Sequence, residues 1–82
     1  MKLVNLGSNK NLLKFSDGSE VFFSYQTPVA SYSPNEGYKR TRTHWSVTTS
    51  RHINTYLKGV KAASVDQADI DALVADFKPL AA

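Results

Sequence analysis

The residues best equipped for chemistry in this chain fall in one stretch, Tyr38-Lys39-Arg40-Thr41-Arg42-Thr43-His44-Trp45. Read as a strand, it sends Tyr38, Arg40, Arg42 and His44 to one face and Lys39, Thr41, Thr43, Trp45 and Val47 to the other. Trp45 and Val47 are then expected in the core, which turns the arginines outward. An aromatic ring, two guanidiniums and an imidazole in a row suit a phosphate backbone and stacked bases. Lys39 and Arg51 would widen that patch. The plainer alternative is an edge strand kept soluble by its charges. The preference for Arg tilts the reading toward function, because a guanidinium fork matches phosphate and carboxylate geometry. Tyr25, Tyr32 and Tyr38 flank the turns nearby, as core aromatics with wet tips or as contacts to a partner.

Other chemistry is less well supplied. The chain has two histidines, His44 and His52, and no cysteine. A metal site needs three or four converging ligands, so it would have to draw on Asp66, Asp69 and Asp71. Their spacing lacks the Gly and closing Glu of a calcium loop. No Ser sits in a Gly-x-Ser-x-Gly elbow, and there is no Gly-x-Gly-x-x-Gly or Walker-type loop. No metal and no nucleotide cofactor is therefore expected. The one enzyme these residues leave open is a metal-free ribonuclease, with His44 or His52 as acid/base and Arg40, Arg42 or Arg51 on the phosphate.

The 82 residues suit a single domain, 1–82, with a thin core. Without cysteine no disulfide framework can reinforce it. Nothing near the N-terminus reads as a signal peptide, and no run approaches the ~20 apolar residues of a membrane span. The reading is a cytoplasmic protein with no membrane partner. Charge is unevenly placed: residues 1–61 hold nine Lys/Arg against three Asp/Glu, whereas residues 62–82 hold Lys78 against Asp66, Asp69, Asp71 and Asp76. A basic body with an acidic tail hints at an anionic partner, although solvated surface gives the same composition.

The elements that must position these residues follow from local pattern. Leu3-Val4-Asn5-Leu6, closed by Gly7-Ser8-Asn9, reads as a first strand. Asn11–Phe15 and Glu20–Tyr25, joined by Ser16-Asp17-Gly18, read as a hairpin with Gly18 in the left-handed position of a bulged three-residue loop. That register opposes Lys14 to Glu20 and Leu13 to Val21. It collects Leu13, Phe15, Val21, Phe23 and Tyr25 on the core face. Leu12, Lys14, Glu20, Phe22 and Ser24 go to the other face, which a Lys14/Glu20 pair would mark as solvated. Val29–Tyr32 gives a further short strand, Ser33-Pro34-Asn35-Glu36-Gly37 a turn, and Tyr38–Thr48 an extended run, so that residues 1–48 are β-rich. A helix over 49–59, capped by Thr49 or Ser50, would bury Ile53, Tyr56, Leu57 and Val60. A second over 64–78 has the Ser64/Gln67 capping box, a stripe of Ile70, Leu73, Val74 and Phe77, and Pro79 as its stop.

Two stretches, Leu3–Lys10 with the hairpin after it and Trp45–Asn54, resemble small hypothetical proteins of bacteriophages. That resemblance implies a short host-directed protein that binds a host polymerase, nuclease or defence complex, and it assigns no site residues. The fold expected from the whole chain is α+β: a small antiparallel sheet of four to five strands, followed by two C-terminal helices packed on one face. The expected function is non-enzymatic binding of nucleic acid through Tyr38, Lys39, Arg40, Arg42, His44 and Arg51. The alternative is a protein-binding inhibitor or adaptor that acts on a host protein.

Overall fold

The computed structural model describes residues 2–7 and 9–74. Its centre is a six-stranded sheet in sequence order: β1 (Lys2–Gly7), β2 (Lys10–Lys14), β3 (Glu20–Ser24), β4 (Thr27–Ser33), β5 (Gly37–Thr41) and β6 (Ala63–Val65). β1 to β5 form an antiparallel meander, and β6 joins β5 in parallel. Helix α1 (Val47–Leu57) makes the crossover that a parallel pair requires. A short helix α2 (Gln67–Asp71) and a 3-10 turn (Ala72–Val74) follow β6.

The β2–β3 hairpin has the expected register, with Lys14 opposite Glu20 and Leu13 opposite Val21. Phe15 N donates to Ser19 O at 2.9 Å, and Gly18 has φ +93°. Asp17 closes this turn by accepting from the Ser19 hydroxyl and amide, and those two bonds hold its carboxyl below the usual carboxylate range. β4 starts earlier than the Val29–Tyr32 expectation. It accommodates Pro28 at a register shift between Phe22 and Phe23, as a residue without an N–H requires.

Several expectations are corrected. The sheet has six strands rather than four or five, and its helices lie on opposite faces rather than one. α1 covers Leu12, Phe22, Val29 and Ala30 with Ile53 and Leu57, whereas Ile70 and Val74 cover Leu13, Val21 and Phe23. The face read as solvated is therefore buried at Leu12 and Phe22. The physical sign is the run Val21-Phe22-Phe23, since a strand covered on both faces shows no polar alternation.

The extended run 38–48 stops at Thr41. Ser46 caps α1 by accepting from Thr49 N at 3.0 Å, so the helix starts at Val47 and not at 49. Its end is a left-handed cap at Lys58, φ 51°, followed by Gly59. Because the strand ends early, Trp45 lies in a loop and is 50% exposed, against the expectation of a core residue. The helix expected over 64–78 is split. Ala63–Val65 joins β5 as a strand, and Asp66 rather than Ser64 is the cap residue. Gln67 binds Pro28 O at 2.7 Å and Asp71 at 2.9 Å instead of forming a capping box. Leu73 is exposed; Phe77 and Pro79 lie outside the described residues.

Candidate nucleic-acid interface

Residues directly opposite in adjacent strands share a face, as do residues two apart along one strand. One cross-strand row, Val4–Leu12–Phe22–Ala30–Arg40, runs under α1. The row beside it is Lys2–Lys14–Glu20–Tyr32–Tyr38. The α1 side therefore collects Lys2, Lys14 and Arg40, together with Lys10, which is two residues from Leu12. α1 adds Arg51, exposed on its surface, and Lys58 at its cap, and has no acidic residue. Glu20 is the one carboxylate these rows contribute. It accepts from Tyr56 Oη at 2.7 Å. Burial first, and then Glu20, push the Tyr56 hydroxyl up, so it stays a protonated donor.

The row expected from strand alternation is broken up. Tyr38 and Arg40 do share a face, but it is the α1 side rather than an open one. Tyr38 is half-buried, with its ring 4.7 Å from that of Tyr32 and 6.0 Å from that of Tyr56. Arg40 borders a shallow depression formed with Asn54, Leu57 and Val60. Lys39 points to the opposite side and pairs with Glu36. Arg42 pairs with Asp66, Nε to Oδ1 at 3.0 Å, and bonds Ser64 O at 3.5 Å, so β6 occupies it. His44 is exposed on the loop before α1, apart from the sheet rows. β5 is not an edge strand, because β6 covers its free side.

Lys2, Lys10 and Lys14 are the residues that strand-by-strand reading missed. Their signal was present, since Lys10 and Lys14 alternate with Leu12, but it reads as solvated surface until α1 is placed over that face. Sequence reading also missed a polar tie beneath the N-terminal half of α1. Ser24 Oγ lies 2.8 Å from His52 Nδ1 and 3.1 Å from Thr49 Oγ1. Desolvation, and then the charge of Lys10, hold His52 below the ordinary imidazole value. Ser24 is only 1% exposed, so this Ser–His pair joins helix to sheet and does not present a nucleophile. Tyr25 lies against His52, with centroids 5.8 Å apart, and is exposed rather than in the core. Its φ of 58° is unusual for a bulky residue and is held by its N–H donating to Asn9 O at 2.7 Å. Trp45 is fixed by its indole N–H, which donates to Gln67 Oε1 at 3.0 Å.

The arrangement offers cations and the exposed ring of Tyr25 on the α1 side of the sheet, with the exposed ring of Trp45 just before α1 and joined to Gln67. Among the described residues, no group of three His, Asp or Glu side chains could hold a metal ion. No described helix is long and apolar enough to cross a membrane.

A family model described as a family of unknown function (DUF8033) matches residues 1–72. The chain belongs to this family. The match spans the six described strands, α1 and α2. No curated protein and no solved structure matches the chain.

Proposed function

We propose that this protein binds single-stranded nucleic acid, without catalysis, on the α1 side of its sheet. The carrying observation is the segregation of charge by strand register. Lys2, Lys10, Lys14, Arg40, Arg51 and Lys58 lie on that side, where Glu20 is the one carboxylate of the sheet rows, while Lys39 and Arg42 pair with Glu36 and Asp66. Cations on one face raise the local potential for a polyanion. Half-exposed Tyr25 and Trp45, near the start of α1, supply the stacking surfaces that unpaired bases use. Of the residues singled out from sequence, this reading retains Arg40 and Arg51 as phosphate contacts and Tyr38 as a supporting ring. It drops Lys39 and Arg42, and leaves His44 at the margin.

The test is an oligonucleotide titration at several salt concentrations with two double variants. Arg51→Ala/Lys58→Asn should weaken binding and flatten the salt dependence, since each lost phosphate contact removes roughly 0.7 from the logarithmic slope on single strands. Asn is chosen because it tolerates the left-handed conformation of residue 58. Asp69→Ala/Asp71→Ala should bind as wild type does. Unchanged affinity in the first variant would exclude this face.

One observation favours a protein partner as the second reading. β1 is an edge strand whose residues are exposed along most of its length, with Leu3 and Leu6 both accessible. A strand of that kind can accept an added strand from an inhibitor target or an adaptor's partner. No specific observation favours the ribonuclease reading.

A further inference from the structure

A cleft of about 420 Å³ opens on the α1 side between β1–β3 and the C-terminal half of α1. That volume is within the usual range of small-ligand sites. Its lips are apolar, Leu6 from β1 and Val60 after α1, exposed at 43% and 47%. Its floor is Tyr56, whose partly exposed ring stacks on the buried Phe22 ring, with centroids 4.6 Å apart and planes inclined by 7°. Lys10 and Lys58 also line it. A slot with an aromatic floor, apolar lips and cationic residues suits a flat ring attached to a phosphate.

Among the polar side chains that line the cleft, Glu20 is the one carboxylate. Glu20 accepts Tyr56 Oη through Oε2, and Oε1 has no hydrogen-bond partner among the described residues. An ionised carboxylate can only accept. A base that enters the slot is therefore favoured when its edge carries an exocyclic amine, as cytosine does, and disfavoured when it presents a carbonyl in that place, as thymine does. Building on the reading of the α1 side as a nucleic-acid surface, we infer that this cleft is a base-selective subsite in which Glu20 prefers an amino-bearing base, with Lys10 and Lys58 on the adjoining phosphates.

The experiment compares short deoxycytidine and thymidine homopolymers at neutral pH, with inorganic polyphosphate as the base-free probe, on wild-type protein and Glu20→Gln. Gln keeps the length of Glu and its amide oxygen still accepts from Tyr56, so the fold is retained. Wild type should bind the deoxycytidine strand at least about fivefold more tightly than the thymidine strand. Glu20→Gln should reduce that ratio to within about twofold, with polyphosphate affinity preserved. Val60→Trp, which fills the mouth of the cleft, should also remove the preference. Equal affinity of wild type for the two homopolymers overturns the inference but leaves the nucleic-acid reading intact. A preference that survives Glu20→Gln overturns the role of Glu20. Absence of salt-dependent binding to any of the three probes overturns the parent reading, and the subsite falls with it.

Discussion

On one side of the sheet an eleven-residue helix covers Leu12, Phe22, Val29 and Ala30, whereas on the other a five-residue helix and a 3-10 turn cover Leu13, Val21 and Phe23. The two sides also differ in charge. The α1 side is cationic, and its helix is tied down by the neutral Ser24–Thr49–His52 cluster and by the bond that Tyr56 donates to the Glu20 carboxylate. α2 and its cap carry Asp66, Asp69 and Asp71, and the described ion pairs are Lys39–Glu36 and Arg42–Asp66. Fastening a helix mostly with hydroxyls and an imidazole leaves these cations outside the ion pairs of the described residues. Elsewhere Glu36 and Asp66 engage Lys39 and Arg42. The difference teaches that exposure of a basic residue says less about binding than whether a carboxylate already faces it.

The largest expected effect tests which side carries the fold. Phe22→Ala removes the ring stacked on Tyr56 and should cost about 3–5 kcal/mol, a large share of the stability of so small a domain. Ile70→Ala on the α2 side should cost less, toward the lower end of about 2–5 kcal/mol. Urea unfolding of the two variants gives the order, and a larger loss at Ile70 would reverse it.

Trp45→Ala probes the residue that links the two sides through Gln67. The ring is half in water and contributes one hydrogen bond, so the loss should be about 1–2 kcal/mol rather than that of a core aromatic. Thermal unfolding checks this, and a cost above about 3 kcal/mol would return Trp45 to the core.

The smallest effect is one of pH and belongs to the α1 side. Desolvation and Lys10 depress His52, so the folded state disfavours its protonation relative to the unfolded chain. That contribution is fully present above the unfolded imidazole pKa of about 6.5 and is lost as pH falls through the lower folded value. Stability should therefore decline on acidification in that window, and His52→Gln should make the decline shallower. An identical pH profile for wild type and His52→Gln would show that the imidazole is not part of the tie.

Much of this architecture is local and was legible as such. Asp17-Gly18 determined the hairpin, its register and the positive φ of Gly18, because only a few backbone paths close a loop that short. The spacing of Ile53 and Leu57 determined that a helix forms and that these two residues are buried, whereas Val60, expected in the same stripe, lies beyond the helix and is exposed. The α1 side as a site was not legible. Lys2, Lys10, Lys14, Arg40, Arg51 and Lys58 come from β1, β2, β5 and α1, and only cross-strand register and the crossover helix bring them to one side. Likewise, Ala63-Ser64-Val65 has no strand signal of its own. It becomes a strand because β5 offers an unpaired edge, which then draws Arg42 to Asp66 and out of the row with Arg40. Local sequence determined the hairpin turn, its register and the burial of Ile53 and Leu57, where the interactions span a few residues. Which face of the sheet was covered, and which cations kept their charge free, depended on contacts between distant segments, and tertiary structure alone decided them.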